Sequence, residues 1–209
     1  MKLKNYNLSI GEKKLFTNIN IEFPEGTICH LLGGNGVGKS SFAKSIMGRL
    51  NYTGEVIIKG DICVIGSYTN IPNDLTIRDL IYFSEKYKFS QLFFELYTLL
   101  NIKDINSQLP LSKMSDGQKQ KIKLLFFLSK NPKVIILDEF TASLDKKSML
   151  DIYNFLLQYT KLKNILIINI THNLLDLEHL PGKYYYISNQ KITLYKDNKS
   201  LIKDYTNLC

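Results

Sequence analysis

The sequence predicts an α/β protein in which helices flank a mostly parallel sheet, with an antiparallel β part at the N-terminus and an inserted α-helical subdomain. Three observations predict this fold. Short apolar runs bounded by turn residues are typical of strands buried on both faces. After residue 130 such runs alternate with segments of helical periodicity, which is the pattern of parallel sheets. Residues 75–130 show helical periodicity throughout. This segment is too long for a single crossover between parallel strands.

Residues 1–32 are predicted to form strands. Apolar residues alternate in LFTNINIEF (15–23), and Pro24-Glu25-Gly26 then turns the chain. TICHLL (27–32) is a continuous apolar run, as in a strand buried on both faces. GEVIIKGDICVIG (54–66) predicts a hairpin with its turn near Gly60-Asp61.

Three helices are predicted between residues 75 and 130. Asn131-Pro132 ends the last of them, because the residue before a proline disfavours the helical conformation. KVIILDEF (133–140) predicts a buried strand. A helix (146–160), a strand (164–170), a short helix (173–179) and a final hairpin (183–195) are predicted to follow.

Composition indicates an ordinary globular chain of 209 residues, with 44% hydrophobic and 22% charged residues. The three cysteines Cys29, Cys63 and Cys209 match no metal motif, so we expect a reduced, cytosolic compartment. No signal peptide or membrane-spanning run is predicted. The net charge of +8 suits an anionic partner such as nucleic acid, a membrane face or a nucleotide. The cluster of Lys119, Lys121 and Lys123 is either solvated surface or a specific binding patch.

A phosphate-binding loop is predicted in GGNGVGKSS (33–41), which fits G-x-x-x-x-G-K-[ST] between a strand and a helix. Backbone N–H groups in such a loop surround phosphate oxygens, and the helix N-terminus adds partial positive charge. Lys39 is expected to reach the β- and γ-phosphates, and the Ser40 hydroxyl to bind Mg²⁺. The alternative, a glycine-rich turn without chemistry, is disfavoured by the complete pattern. The predicted nucleotide contacts in this loop are Gly33, Asn35, Gly36, Val37, Gly38, Lys39, Ser40 and Ser41.

Two adjacent carboxylates end the strand VIILDEF. Asp138 is predicted to hold Mg²⁺, because α/β proteins place ligand groups at the carboxyl ends of their strands. Glu139 suits a general base that activates the attacking water. Alone, the pair would be a simple turn; beside a phosphate loop, the chemical interpretation is favoured.

The stretch Ser115-Asp116-Gly117-Gln118 has the pattern of a helix capping box. It also lies between the phosphate loop and the LDE strand, and this order resembles the nucleotide-binding domain of ATP-binding-cassette (ABC) transporters over nearly the whole chain. MSDGQ (114–118) is similar to that family's signature, which binds ATP held by a second protomer. The resemblance therefore implies that Ser115, Gly117 and Gln118 contact nucleotide across a dimer.

The resemblance implies further roles. Ser143-Leu144-Asp145 matches the family's D-loop, with Asp145 reaching across the dimer, and His172 matches the switch histidine that contacts the γ-phosphate. The expected catalytic residues are Glu139, His172 and Lys39, and the expected metal ligands are Ser40 and Asp138. The implied architecture is a P-loop NTPase core in one domain (1–209), made of residues 1–70 and 131–209, with the signature on a helical subdomain at 71–130.

The sequence departs from the family at several positions. Asp116 replaces a glycine, and we expect Lys119 or Lys113 to hold its side chain away from phosphate. Ile10 occupies the place of an adenine-stacking aromatic, for which Tyr6 is an alternative. The family's glutamine is missing from GSYTNIPNDLT (66–76), where Tyr68 and Asn70 are the nearest candidates. Met114 and Phe140 replace a leucine and a proline.

The function implied by the resemblance is an ATP-binding and ATP-hydrolysing subunit that powers a membrane transporter. Its cofactors are ATP and Mg²⁺, and its partners are a separately encoded permease and a second ABC subunit or a second copy of itself. We expect no nucleic-acid partner and a cytoplasmic location, peripheral on the inner face of the membrane. The compact chain resembles small exporter ATPases that act on peptides or bacteriocins. Importer and non-transport ABC ATPases are alternatives. A GTPase or nucleotide kinase would not account for 114–118 or His172, and no Asn-Lys-x-Asp motif is present.

Overall fold

The computed structural model describes residues 1–87 and 90–208, and in this part of the chain nine strands, seven α-helices and two short 3-10 helices (Ile102–Asp104 and Leu111–Lys113) are found. The strands are β1 (Lys2–Ile10), β2 (Lys13–Glu22), β3 (Ile28–Gly33), β4 (Tyr52–Ile57), β5 (Ile62–Ile65), β6 (Val134–Asp138), β7 (Leu166–Ile170), β8 (Lys183–Ser188) and β9 (Lys191–Tyr195). The helices are α1 (Lys39–Ile46), α2 (Ile77–Lys86), α3 (Ser90–Leu99), α4 (Asp116–Leu128), α5 (Lys146–Lys163), α6 (Leu174–His179) and α7 (Asn198–Leu208).

The larger sheet has six strands in the order β5-β6-β7-β3-β8-β9. The first five run parallel, and β9 pairs antiparallel with β8 in the predicted final hairpin. A separate antiparallel sheet has the order β2-β1-β4. The predicted combination of a mostly parallel sheet with an antiparallel N-terminal part is therefore confirmed.

The larger sheet is covered on both faces, and alternate residues of its strands point to opposite sides. On β6, Ile135 and Leu137 face the core made with α2, α3, α4 and α5. Val134 and Ile136 face the core made with α1 and the antiparallel sheet. All five residues of β6 are buried, which explains why the sequence of this strand is a continuous apolar run.

Helices α2, α3 and α4 follow one another between β5 and β6, in the segment predicted to be helical. Thr76 caps α2 through a capping box with Asp79. At the end of α4, Asn131 adopts φ 54° and Pro132 follows, so the helix cannot continue. The division at residues 71 and 130 into core and helical subdomain stays a prediction.

The predicted hairpin at 54–66 is wrong. Its two halves belong to different sheets, because β4 pairs with β1 and β5 pairs with β6. The Asp61 carbonyl accepts hydrogen bonds from Lys133 N (2.8 Å) and Val134 N (3.2 Å), which ties the start of β5 to β6. The turn at Gly60-Asp61 therefore connects strands of two different sheets and does not join two strands of one hairpin.

Helix α7 was not predicted, and it packs Leu201 against Tyr184 and Tyr186 of β8. Of the predicted free cysteines, Cys29 and Cys63 are free, and Cys209 lies outside the described residues. Within residues 1–87 and 90–208, no helix has the length and apolarity needed to cross a membrane.

Candidate active site at the carboxyl edge of the sheet

The phosphate loop connects β3 to α1, as the sequence predicts. Gly38 is the N-cap of α1, and no side chain caps this helix end, so the first-turn N–H groups are available to an anion. The loop opens on a cleft of about 320 Å³, lined by Asn35, Gly36, Gly38, Lys39, Ser40, Ser41, Glu139, Ile10, Lys13 and Leu15. The cleft thus combines backbone donors with cations and one carboxylate, which suits a phosphate ester.

Lys39 lies along the loop. Its Nζ donates to the carbonyls of Gly33 (2.7 Å) and Gly34 (2.9 Å), and the residue is buried. These bonds hold the ammonium beside the loop, where a phosphate would lie.

The strand order brings the other predicted groups to the same edge. Asp138 pairs with Ile170 across β6 and β7, and Leu31 pairs with Ile170 across β3 and β7. The carboxyl ends of these three parallel strands therefore carry the phosphate loop, the Asp138-Glu139 pair and the His172 loop side by side.

Asp138 is buried at the end of β6. Its Oδ2 accepts a hydrogen bond from Tyr68 Oη at 3.0 Å, whereas its Oδ1 is a buried atom without a hydrogen-bond partner among the described residues. Burial raises the pKa of this carboxyl, and the nearby Ser40 and Tyr68 hydroxyls offset part of that rise.

An unpartnered carboxylate oxygen beside a serine hydroxyl is a suitable donor set for a hard cation. Among the described residues, no group of three or more His, Cys, Asp or Glu side chains is placed to hold a metal. Ser40 and Asp138 line the same cleft and offer the kind of oxygen donors that Mg²⁺ commonly uses together with substrate phosphates.

Glu139 and His172 lie beside each other, with Glu139 Oε1 3.3 Å from His172 Nδ1 and both side chains about half exposed. Glu139 has φ 52°, an uncommon conformation for a residue with a side chain. Its N–H donates to the Ile170 carbonyl at 2.9 Å, which fixes the loop after β6 against the end of β7. Both side chains are accessible to solvent and to a ligand in the cleft.

Residues 115–118 form the N-terminal cap of α4. Ser115 Oγ accepts from Gln118 N (3.3 Å), and Ser115 N donates to Gln118 Oε1 (3.0 Å), which is the predicted capping box. Lys119 Nζ lies 3.7 Å from Asp116 Oδ1, so one of the two expected lysines pairs with this carboxylate. Neither Ser115 nor Gln118 is among the residues that line the clefts at Lys39 and Asp138.

Gly117 and Asp145 are not among the lining residues of those clefts either, and Ser148 contacts both of them. A Cβ at Gly117 would lie 2.6 Å from Ser148 Cβ, so the space admits only glycine without displacement. Ser148 N and Oγ both donate to Asp145, at 3.0 and 2.6 Å, which makes Asp145 the N-cap of α5. These hydrogen bonds lower the pKa of Asp145.

The proposed substitute for the adenine-stacking aromatic is wrong. Tyr6 is fully buried and its hydroxyl bonds Ser45 Oγ at 2.6 Å. Ile10 is 48% exposed and lines the phosphate cleft. Lys13 is a residue of the cleft that the sequence did not predict, and its Nζ donates to the Gly36 carbonyl at 3.2 Å. No sequence pattern distinguishes such a lysine near a turn from a lysine that is simply solvated. Of the two candidates for the missing glutamine, Tyr68 contacts Asp138, and Asn70 is exposed.

A buried polar cluster around Asp176 lies behind the catalytic loops. Asp176 is fully buried and accepts hydrogen bonds from Thr141 Oγ1 (2.9 Å), Asn169 Nδ2 (2.9 Å) and Tyr153 Oη. Thr141 follows Glu139 by two residues, and Asn169 precedes His172 by three. The Asp176 cluster (Thr141, Tyr153, Asn169 and Asp176) therefore connects the two loops that carry Glu139 and His172.

His30 extends this cluster into β3. Its Nε2 lies 2.7 Å from the Leu180 carbonyl, and its Nδ1 lies 3.4 Å from Asn169 Nδ2. These partners assign a neutral ring with the proton on Nε2. Burial lowers the pKa of His30 in agreement with this state. The sequence gives no signal for these contacts, because their residues are far apart along the chain.

Comparison with known proteins gives consistent similarities. Residues 16–142 match the ABC transporter family. The chain is 39% identical to the probable peptide export ATP-binding protein YydI of Bacillus subtilis, over 99% of this chain and 100% of that one. It is 28% identical to the lantibiotic transport ATP-binding protein SrtF of Streptococcus pyogenes, over 94% and 90% of the two chains.

Solved structures show the same fold. A nucleotide-free ATP-binding cassette from an ABC transporter superposes with a TM-score of 0.78 at 18% identity, over 99% of this chain and 96% of that one. The dimeric post-hydrolysis cassette MJ0796, bound to ADP and Pi, superposes with a TM-score of 0.76 at 21% identity, over 93% and 97%.

Proposed function

This chain belongs to the ABC transporter family of ATP-binding proteins, and on that premise we propose that it hydrolyses ATP to drive export of a peptide through a separate membrane permease. The observation that carries the proposal is the pairing of Glu139 with His172, 3.3 Å apart. The same carboxyl edge of the sheet holds Lys39, Ser40 and Asp138. A proton acceptor thereby faces a phosphate site.

Each residue has a distinct role in this proposal. Lys39 leaves its carbonyl partners for the β- and γ-phosphates. Glu139 accepts the proton of the attacking water, and His172 orients that water and the γ-phosphate. Ser40 and Asp138 would hold Mg²⁺, which when bound neutralises charge on the phosphate oxygens.

The second protomer completes the site. We place Ser115, Gly117 and Gln118 of one copy against the ATP of the other, with Asp145 at the same interface. Ser115 and Gln118 lie at the start of α4, where the positive end of the helix dipole favours an anion. Neither residue lines the phosphate cleft of its own chain, which is compatible with a role across a dimer. The helical segment 71–130 then serves as the subdomain that carries the signature.

Export is supported by the names of the relatives, which describe peptide export and lantibiotic transport. The chain would act at the inner face of the membrane, bound to its permease. Inside-out vesicles that contain the chain and a co-purifying permease test the direction. ATP-dependent accumulation of labelled peptide supports export, and accumulation only in right-side-out vesicles overturns it.

Glu139→Gln tests the chemistry. We expect ATP turnover to fall by about 100-fold or more, with ATP binding retained, because an amide cannot accept the proton. Glu178→Gln, an exposed carboxylate on α6, is the matched control and should retain the wild-type rate. Turnover by Glu139→Gln at the rate of its control would rule out the assigned base.

A further inference from the structure

The turn after β5 brings a tyrosine against the end of β6. Gly66 N donates to Thr69 Oγ1 (2.8 Å), and Thr69 N donates to the Gly66 carbonyl (3.2 Å), so residues 66–69 close a tight turn. A Cβ at Gly66 would lie 3.2 Å from both the Asp138 Cβ and the Tyr68 ring. Glycine at this position therefore lets Tyr68 and Asp138 approach each other.

The tyrosine hydroxyl makes the two oxygens of Asp138 unequal. Tyr68 Oη donates to Oδ2 at 3.0 Å, and Oδ1 has no partner among the described residues. A tyrosine hydroxyl that faces an ionised carboxylate is the donor of the pair, because the carboxylate can only accept. One oxygen is thereby fixed, and the other is left for a ligand.

The ring is itself held by the helix that follows the phosphate loop. Lys44 Nζ lies 5.1 Å and Arg49 Cζ 5.9 Å from the ring centroid, both within the range of cation–π contacts. Lys44 is on α1, whose first residues are Lys39 and Ser40, and Arg49 follows its end. Tyr68 thus connects Asp138 to the helix that carries the phosphate-binding residues.

We infer that Tyr68 is a positioning residue for the magnesium ligand Asp138, orienting its carboxylate so that Oδ1 faces the Ser40 side. This inference rests on the metal site of the proposed function. Hydrogen-bond partners of metal ligands commonly change metal affinity by about 10–100-fold when removed. Tyr68 therefore supplies a metal-orienting contact from the turn that leads into the helical segment.

Binding of a fluorescent ATP analogue, titrated with Mg²⁺, tests the inference without turnover. Tyr68→Phe removes only the hydroxyl and keeps the ring against Lys44 and Arg49. We expect the half-saturating Mg²⁺ concentration to rise about tenfold, with affinity for the analogue in EDTA unchanged within about twofold. Tyr82→Phe, with its residue 60% exposed on α2, is the matched control and should behave as wild type.

Ser40→Ala separates the two possible failures. If Ser40→Ala raises the half-saturating Mg²⁺ concentration and Tyr68→Phe does not, Tyr68 has no positioning role and the metal site stands. Equal losses of affinity with Mg²⁺ and with EDTA in Tyr68→Phe also overturn the inference, because the hydroxyl then acts on the phosphate loop. If neither variant differs from wild type, the proposed metal site is itself wrong.

Discussion

Replacing Asp176 by alanine should destabilise the protein by about 3–6 kcal/mol. The substitution leaves three buried donors, on Thr141, Tyr153 and Asn169, without their acceptor. A buried donor without a partner costs about 1–3 kcal/mol, so the three together give about 3–9 kcal/mol. Removing the carboxylate also removes its own cost of burial, which places the expected loss in the lower half of that range.

Asp176→Asn provides a graded second measurement. It preserves the shape and one carbonyl oxygen, which can still accept from Thr141 and Tyr153. The new amide nitrogen faces Asn169 Nδ2, so one donor loses its partner and the expected loss is about 1–3 kcal/mol.

Urea unfolding of the purified chain measures both losses, read from the midpoint at an unchanged m-value. Glu178→Ala is the matched control, because Glu178 is an exposed carboxylate on the same helix, and it should change stability by less than about 0.5 kcal/mol. A loss below about 0.5 kcal/mol for Asp176→Ala, within the spread of surface changes, would show that the cluster contributes little net stability.

Three further outcomes are expected. Ser115→Ala should cost about 1 kcal/mol as a lost cap, yet abolish ATP-driven dimerisation in a Glu139→Gln background, which size-exclusion chromatography detects. Ser112, an exposed serine three residues earlier, provides the matched control, and dimerisation of Ser115→Ala equal to that of Ser112→Ala would leave only the cap. His172→Ala should slow hydrolysis and keep the dissociation constant for Mg-ATP, since the imidazole acts on the transition state; normal turnover with poor binding would reverse that assignment. The pKa of His30 is lowered below 6.5 by burial, so below that pH the unfolded chain binds a proton that the folded chain does not, and stability falls as the pH drops. His30→Gln should reduce this pH dependence between pH 6.5 and about 5, as measured by urea midpoints at a series of pH values. An unchanged slope of the midpoint against pH would contradict the neutral ring.

Local patterns predicted the elements whose causes are local. The phosphate loop, the capping box at Ser115 and the buried strand β6 each have a chemical signature within a few residues, and each is found where expected. Helix α7 also had a usable signal that was overlooked. Asp197 accepts from Ser200 N at its start, and Leu201, Ile202 and Tyr205 share one face.

Sheet membership could not be predicted, because it depends on partners distant in sequence. Gly60-Asp61 marks a turn in either case, and only the bonds from Lys133 and Val134 to the Asp61 carbonyl place β5 beside β6. The same reason hid the Asp176 cluster and the burial of Tyr6. A polar residue in an apolar segment does not reveal which donors will surround it.

The contact between Gly117 and Ser148 limits what a mutation in the signature can prove. Any larger side chain at Gly117 must displace Ser148, and Ser148 holds Asp145 at the start of α5. A loss of activity in Gly117→Ala would thus combine a changed signature with a displaced D-loop. The geometry makes Ser148→Gly a second-site suppressor, since it vacates the space that the new methyl group needs. Activity restored in the double variant would show that crowding caused the defect. Activity still absent would point either to Gly117 itself or to the lost Ser148 hydroxyl. The single variant Ser148→Gly distinguishes these two causes, because it removes only the hydroxyl side chain.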